Sequence, residues 1–359
     1  MKHLKLKLAI FALSTFLFSC SNDLETTNTT ANTKTYNGIL VLNEGGFTNS
    51  NSSISFLSKD FSELIPNIFS TVNPNIVMGD VAQSMLVSGD KIYVVVNNSN
   101  KLLVLNRYTL QQIGNISTGL VNPRFMAIKN NILYLSCWGI ASVSTDDYIA
   151  VINTNDLSTL PKILVAEGPE KMTLNNNELF VAHKGGFSNG KTISVINISN
   201  NTITNTINTG DIPENLAIYN NQLFVFCSGK IVYDTNWNII NQTGGKIINY
   251  NLSNYSEIFS INFNNTEHPR KFCINQDKIY YSLNNQIYKK DFLTTTLPPA
   301  SFFNPQVTTL YGLNVTNNNI FVCDAKAFNS AGSLKIFNET GTLITEKATG
   351  IAPNGVYFN

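Results

Sequence analysis

The chain has 359 residues with a formal net charge of +1, 43% hydrophobic and 13% charged side chains. A chain of this length can bury a large core, while so low a charge density with no basic run excludes the clustered positive surface that nucleic-acid binding needs. The polar surface must consist largely of Asn, Ser and Thr, which suits a neutral, hydrogen-bonding ligand better than a strongly ionic one.

Residues 1–19 read as a targeting segment. Lys2, Lys5 and Lys7 form a basic start, residues 8–18 an apolar run too short for a permanent span, and Leu17-Phe18-Ser19-Cys20 closes it. This ending resembles a bacterial lipoprotein signal, which implies that Cys20 carries a lipid and anchors the protein to a membrane. Residues 20–36 are polar and poor in large apolar groups, so they are expected to form a flexible tether. Asp23 and Glu25 resemble the acidic signals that send some lipoproteins to the outer face of the outer membrane. Without the three leader lysines, 21 basic residues stand against 23 acidic ones.

Residues 37–359 read as one all-β domain. Residues 38–42, 53–57 and 68–72 are expected to be the second, third and fourth strands of a first unit. A degenerate unit opens at Gly79-Asp80-Val81-Ala82-Gln83-Ser84-Met85. Regular units then open at Pro123-Arg124, Pro169-Glu170, Pro213-Glu214, Pro269-Arg270 and Pro353-Asn354, with a degenerate copy at Tyr311-Gly312-Leu313. The prolines lie 46, 44, 56 and 84 residues apart. Within one unit, residues 125–128, 132–136, 148–153 and 162–165 alternate or run apolar between Asn-rich turns, as strands do. A period of about 40–45 residues with four short strands is the signature of a β-propeller. Six units can be counted, and the lone strand at residues 355–358 supplies the missing first strand of the N-terminal unit. The expectation is a seven-bladed propeller closed by its N- and C-terminal strands, which leaves no open edge.

The segments that open each unit begin the strand nearest the channel, so Asp80, Gln83, Arg124, Glu170, Glu214, Arg270, Tyr311 and Asn354 should ring one mouth. Loops between second and third strands emerge on the same face and carry Phe47, Trp138, His183, Phe187, Tyr233, Trp237 and Phe328. Aromatic faces beside amides and carboxylates can stack on and hydrogen-bond to a bulky ligand. The ligand-binding candidates are Phe47, Asp80, Gln83, Arg124, Trp138, Glu170, His183, Phe187, Glu214, Arg270, Tyr311 and Phe328. The Arg/Glu ring can equally hold the blades in register by pairing across the channel.

Enzyme readings find little support. There is no Gly-x-Ser-x-Gly elbow, and His183 is the one plausible imidazole base near the mouth, with His268 a distant second. Glu170 and Glu214, in adjacent units, could pair as acid and base, yet the repeat alone accounts for them. Cys137, Cys227 and Cys323 occupy equivalent strand ends in different units, too far apart for disulfides, and are expected with Cys273 to be buried thiols. With no CxxC pair and only His183 and His268 after the leader, no metal site or cofactor is expected. Two tryptophans are too few for the repeated docking motif of quinone-dependent propeller dehydrogenases.

Leu42-Asn43-Glu44-Gly45-Gly46-Phe47, Gly79-Asp80-Val81-Ala82-Gln83-Ser84-Met85, Asn122-Pro123-Arg124 and Gly168-Pro169-Glu170-Lys171-Met172, in this order behind a lipoprotein signal, resemble the YncE-like "surface layer" propeller lipoproteins. In leader, length and repeat the chain is similar to the BtuG-type members. That resemblance implies a non-enzymatic surface protein that captures cobalamin (vitamin B12) as a ligand and passes it to a TonB-dependent outer-membrane transporter. The alternatives are an interaction or adhesion scaffold for a protein or glycan, and a propeller lyase or dehydrogenase working at the same mouth.

Overall fold

In the first repeat the strands Ala82–Ser88, Lys91–Val96, Lys101–Asn106 and Gln112–Ile116 pair antiparallel in chain order, the innermost first. This computed structural model describes residues 34–359 apart from Phe187 and Asn317, so the expected signal peptide, Cys20 and the part of the expected tether before Lys34 lie outside the described residues. The second blade is Pro123–Lys129, Ile132–Cys137, Tyr148–Asn153 and Thr159–Leu164, and the third is Pro169–Asn175, Glu178–His183, Thr192–Asn197 and Thr202–Asn208. The fourth is Pro213–Tyr219, Gln222–Cys227, Lys246–Asn251 and Glu257–Asn262, and the sixth is Leu310–Thr316, Asn319–Asp324, Ala331–Asn338 and Leu343–Ile351. The seventh combines both ends of the domain: Pro353–Phe358 pairs with Gly38–Asn43, followed by Ser53–Ser58 and Leu64–Ile65. The protein is a seven-bladed β-propeller closed by this clasp, as the repeat predicts.

The clasp is reinforced beyond its ladder. Asn359 donates from Nδ2 to the carbonyls of Tyr36, at 2.6 Å, and Arg107, at 2.8 Å, tying the seventh blade to the first. The core lies between blades, where middle strands are covered on both faces. Leu223, Phe224, Val225 and Phe226 are therefore a continuous apolar run, all fully buried. Phe226 stacks on Phe272 of the next blade with ring centroids 4.7 Å apart.

Each inner strand carries a bulge within its first residues. Register shifts occur at Ala82/Ser84, Pro123/Met126, Pro169/Met172, Pro213/Asn215, Arg270/Cys273, Leu310/Gly312 and, opposite Leu42/Asn43, in the strand from Pro353. A bulge sets two residues against one, so consecutive side chains can both turn toward the channel instead of alternating. Ahead of the bulge sits a left-handed residue in five blades: Val81, Asn122, Gly168, Ile212 and Ala352. Its carbonyl accepts from the residue after the second strand, as in Trp138 N–H to Asn122 and Lys184 N–H to Gly168. The turns between first and second strands use left-handed Asn pairs such as Asn130-Asn131 and Asn220-Asn221, which gives much of the Asn content a backbone role.

Three expectations are corrected. Residues 68–72, expected as a strand, form the helix Ile68–Val72, and Leu64–Ile65 is the outer strand. Ile68, Phe69 and Val72 are spaced for a helix face and fill the cluster between the seventh and first blades, while Asn73 closes the helix by donating to the carbonyls of Phe69 and Leu110. The fifth blade has only three strands, Arg270–Asn275, Lys278–Leu283 and Gln286–Asp291. Where a fourth would lie, the chain runs through Pro298, Pro299 and Pro305, which cannot donate to a ladder, and meets the sheet in ladder fashion at a Phe303–Ile287 bridge. Cys273 is half-buried, whereas Cys137, Cys227 and Cys323 are buried, and all four are free. The fourth blade carries an extra hairpin between its second and third strands, Ile231–Tyr233 with Ile239–Gln242, whose tip leaves Trp237 exposed.

Candidate functional site

The bulge residues form a bonded ring at one mouth of the channel. Arg124, in the second blade, donates from Nε and Nη2 to the two carboxylate oxygens of Glu170 in the third, at 3.0 and 2.8 Å, and from Nη1 to Gln83 in the first. Lys184 donates to Glu214 of the fourth blade at 3.1 Å, and Arg270 of the fifth reaches the same oxygen at 3.4 Å. On the far side, the Tyr311 hydroxyl and the Asn354 amide donate to the two oxygens of Glu44, at 2.9 and 2.8 Å. Asn354 also donates to the carbonyls of Ala82 and Gln83. The Lys271 ammonium, 4.5 Å from the centre of the Tyr311 ring, bridges the gap between fifth and sixth blades.

Inside this ring is a cavity of about 690 Å³ that extends down to Met85, Met126, Leu313 and Tyr357. Its lining holds five cations, Arg124, Lys171, Lys184, Arg270 and Lys271, against three carboxylates, Glu44, Glu170 and Glu214. Burial penalises the Glu214 carboxylate, but Lys184, Arg270 and Lys271 outweigh that penalty and hold its pKa below the ordinary range. Burial raises the pKa of Glu44 despite the hydrogen bonds from Asn354 and Tyr311. Lys171 is pushed down by burial, and Lys271 is pushed down to about 8 by burial and by the neighbouring Lys171 and Lys184, with Glu214 opposing.

Of the residues expected at the mouth, Gln83, Arg124, Glu170, Glu214, Arg270, Tyr311, Phe328 and Asn354 are brought together around the cavity. Phe328 stands edge-on to Tyr311 with centroids 4.9 Å apart. The others are placed differently. Trp138 lies behind the wall, its Nε1–H bonded to the carbonyl of Pro169 at 2.9 Å and its ring beneath the Arg124 guanidinium. Asp80 is buried under the rim, accepting from the Thr48 N–H and the Asn98 amide. His183 is buried inside the third blade against Ser194 Oγ at 2.8 Å, and burial depresses its pKa to about 4. Phe47 is exposed on the rim outside the cavity, and Phe187 lies outside the described residues.

Glu44, Lys171, Lys184 and Lys271 are the charged lining residues that sequence reasoning missed. Lys171 and Lys271 follow ring residues directly, and strict alternation would have turned them away from the channel; the bulge brings them in. The signal was the dipeptide itself, Glu170-Lys171 and Arg270-Lys271, at the opening of two units. The arrangement supplies fixed donors, a partly apolar floor and an excess of cations. Burial pushes the thiols of Cys137, Cys227, Cys273 and Cys323 up to about 12, so they stay protonated. Among the described residues no group of three or more His, Cys, Asp or Glu converges as a metal site would.

The family model described as "Domain of unknown function (DUF5074)" matches residues 37–358. Among curated proteins none matches the sequence. Solved structures share the fold at low identity. A quinonprotein alcohol dehydrogenase-like protein from Bacteroides thetaiotaomicron is 12% identical with a TM-score of 0.67, the match covering 90% of this chain and 78% of that one. A functionally unknown protein from Desulfotomaculum acetoxidans is 14% identical with a TM-score of 0.62, covering 89% and 98%. BamB from Moraxella catarrhalis is 13% identical with a TM-score of 0.55, covering 88% and 84%. These identities carry the fold and no more.

Proposed function

Because the chain belongs to the DUF5074 family, a domain of unknown function, we propose its role from its own geometry: a surface-anchored, non-enzymatic protein that captures a solute at the mouth of the propeller. The observation that carries this reading is the cavity of about 690 Å³, enclosed by side chains from all seven blades and held in shape by bonds between blades. A site preorganised in this way loses little entropy on binding. The catalytic alternative is weakened by the burial of His183 and by the engagement of Glu170 and Glu214 with cations.

The ligand proposed is a corrinoid. Its support is the resemblance in leader, length and repeat to the BtuG-type lipoproteins, together with the lining amides Asn215, Asn285 and Asn314 and the lining aromatics Phe125 and Phe328. Anchoring through Cys20 and delivery to a TonB-dependent outer-membrane transporter belong to the same proposal. The test is calorimetric titration of the full-length protein in detergent with cyanocobalamin. Saturable one-to-one binding, weakened by Phe125→Ala or Phe328→Ala while unfolding temperature holds, is the expected result. No heat of binding at high micromolar cyanocobalamin would remove the corrinoid assignment.

A further inference from the structure

Among the cavity's cations, Lys171 and Lys271 stand apart from the rest. Arg124 is spent on Glu170 and Gln83, while Lys184 and Arg270 share Glu214. Lys171 and Lys271 have neither a hydrogen bond nor a carboxylate within ion-pair distance among the described residues. Their ammonium groups rest only on aromatic faces, Lys171 at 5.6 Å from the Phe125 ring and Lys271 at 4.5 Å from Tyr311. They open the third and fifth blades, on either side of Glu214 in the fourth, and both face the same cavity.

Two half-buried cations that burial penalises, with Glu214 near them but no carboxylate in ion-pair contact, are destabilising in an empty site. The imbalance also runs against the rest of the molecule, since acidic residues outnumber basic ones after the leader. A folded domain tolerates such an arrangement where something else brings the missing negative charge.

We propose that the Lys171–Lys271 side of the mouth is an anion subsite that takes a carboxylate or phosphate group of the captured solute, with Arg270 as the exposed outer cation. This rests on the reading of the mouth as a ligand site but not on the ligand being a corrinoid. It identifies the solute class as one with at least one oxyanion. The two lysines attract the oxyanion as point charges, while the Glu214 carboxylate between their blades is held by Lys184 and Arg270, which leaves Lys171 and Lys271 as the cations open to it.

The experiment measures binding of inorganic phosphate and, separately, citrate to the full-length protein at constant ionic strength, by calorimetry and by the rise in unfolding temperature. Lys171→Met, Lys271→Met and the exposed Lys59→Met are compared with the parent. Saturable binding of either anion, weakened at least about tenfold by Lys171→Met or Lys271→Met and unchanged by Lys59→Met, is the expected result. Which anion binds decides between phosphate and carboxylate. The anion-free Lys171→Met protein should also be at least as stable as the parent, because the substitution removes an uncompensated cation. Failure of both anions to bind, or loss of binding equally in Lys59→Met, overturns the subsite. So does a markedly less stable Lys171→Met protein, which would make the lysine a structural partner. Cyanocobalamin binding without phosphate or citrate binding leaves the capture reading and removes this one; the reverse keeps the subsite and removes the corrinoid.

Discussion

The guanidinium carbon of Arg124 lies 4.1 Å from the centre of the Trp138 ring while its nitrogens fork onto Glu170. Trp138 is fixed in turn by its bond to the carbonyl of Pro169, the residue before Glu170. Two blades are thus joined by a closed loop of contacts, and the tryptophan serves the wall of the site. Arg124→Lys keeps the charge but loses the fork and the stacking, leaving the Glu170 carboxylate, 6% exposed, imperfectly paired. The expected cost is about 2–4 kcal/mol in urea unfolding. The double variant with Glu170→Gln should recover part of it, since the stranded carboxylate is then gone. Additive losses in the double variant would show that the pair is not coupled.

Ile212 has φ of 57° in the place where neighbouring blades use Asn122 and Gly168. A β-branched residue is strained in the left-handed region, where glycine is not. Its amide and carbonyl are both used, in bonds to Gly190 and Ser228, so the backbone must hold this shape. Ile212→Gly should raise stability by about 1 kcal/mol, net of the greater freedom of glycine in the unfolded chain. Thermal unfolding checks it, and a clear loss of stability would mean that the half-buried isoleucine side chain contributes more than its backbone costs.

The ring was legible where prolines mark it. Pro123, Pro169, Pro213 and Pro353 begin inner strands and place Arg124, Glu170, Glu214 and Asn354 on the channel. In the fifth blade the same pattern misled by one residue. There the left-handed residue is Lys271, the strand starts at Arg270, and the Arg270 side chain is 56% exposed, while Lys271 turns to the cavity. Glu44 was hidden because nothing local in its loop distinguishes it; its position follows from the clasp, which brings Asn354 within 2.8 Å. His183 read as a loop residue, but it ends the second strand of the third blade, where it packs against Ser194, and Asp80, expected on the channel, is buried under the rim with Thr48 and Asn98 donating to it.

His183 gives acid sensitivity a defined source. Its pKa, lowered by burial to about 4 against an ordinary 6.5, means that between those values the unfolded chain binds a proton that the native state refuses. Stability from this group is complete above pH 6.5 and is lost as pH falls toward 4, by about 3 kcal/mol at the limit. Asp147 acts in the opposite sense: burial raises its pKa from 3.8 to about 6, so its contribution is present below 3.8 and lost as pH rises through 6. Comparing His183→Gln with the parent cancels Asp147, which both proteins keep. Read from urea midpoints, the stability of the parent relative to the variant should rise as pH goes from 4 to 6.5, and a constant difference would mean that His183 is protonated in the native state.

Lys271 should make anion capture depend on pH in the alkaline range. Glu214, Glu44, Lys171 and Lys184 act on it electrostatically, with Arg270 beside it in the chain and Tyr311 under its ammonium. The balance sets its pKa at about 8, below the ordinary 10.5, with burial the largest cause. Between these values the unfolded state carries the proton and the native state does not, so the anion-free protein gains stability as pH rises through that window. Binding of an oxyanion favours the charged ammonium and follows the opposite course: phosphate affinity is full below pH 8 and falls above it as Lys271 neutralises. Near pH 8 binding must then draw a proton from solution, and the calorimetric enthalpy should vary with the ionisation enthalpy of the buffer. Lys271→Met should reduce that buffer dependence, leaving what phosphate's own ionisation and Lys171 contribute, and should leave weaker binding at Lys171. Phosphate affinity that stays constant from pH 7 to 10 in the parent would show that Lys271 does not carry the charge to which the anion responds.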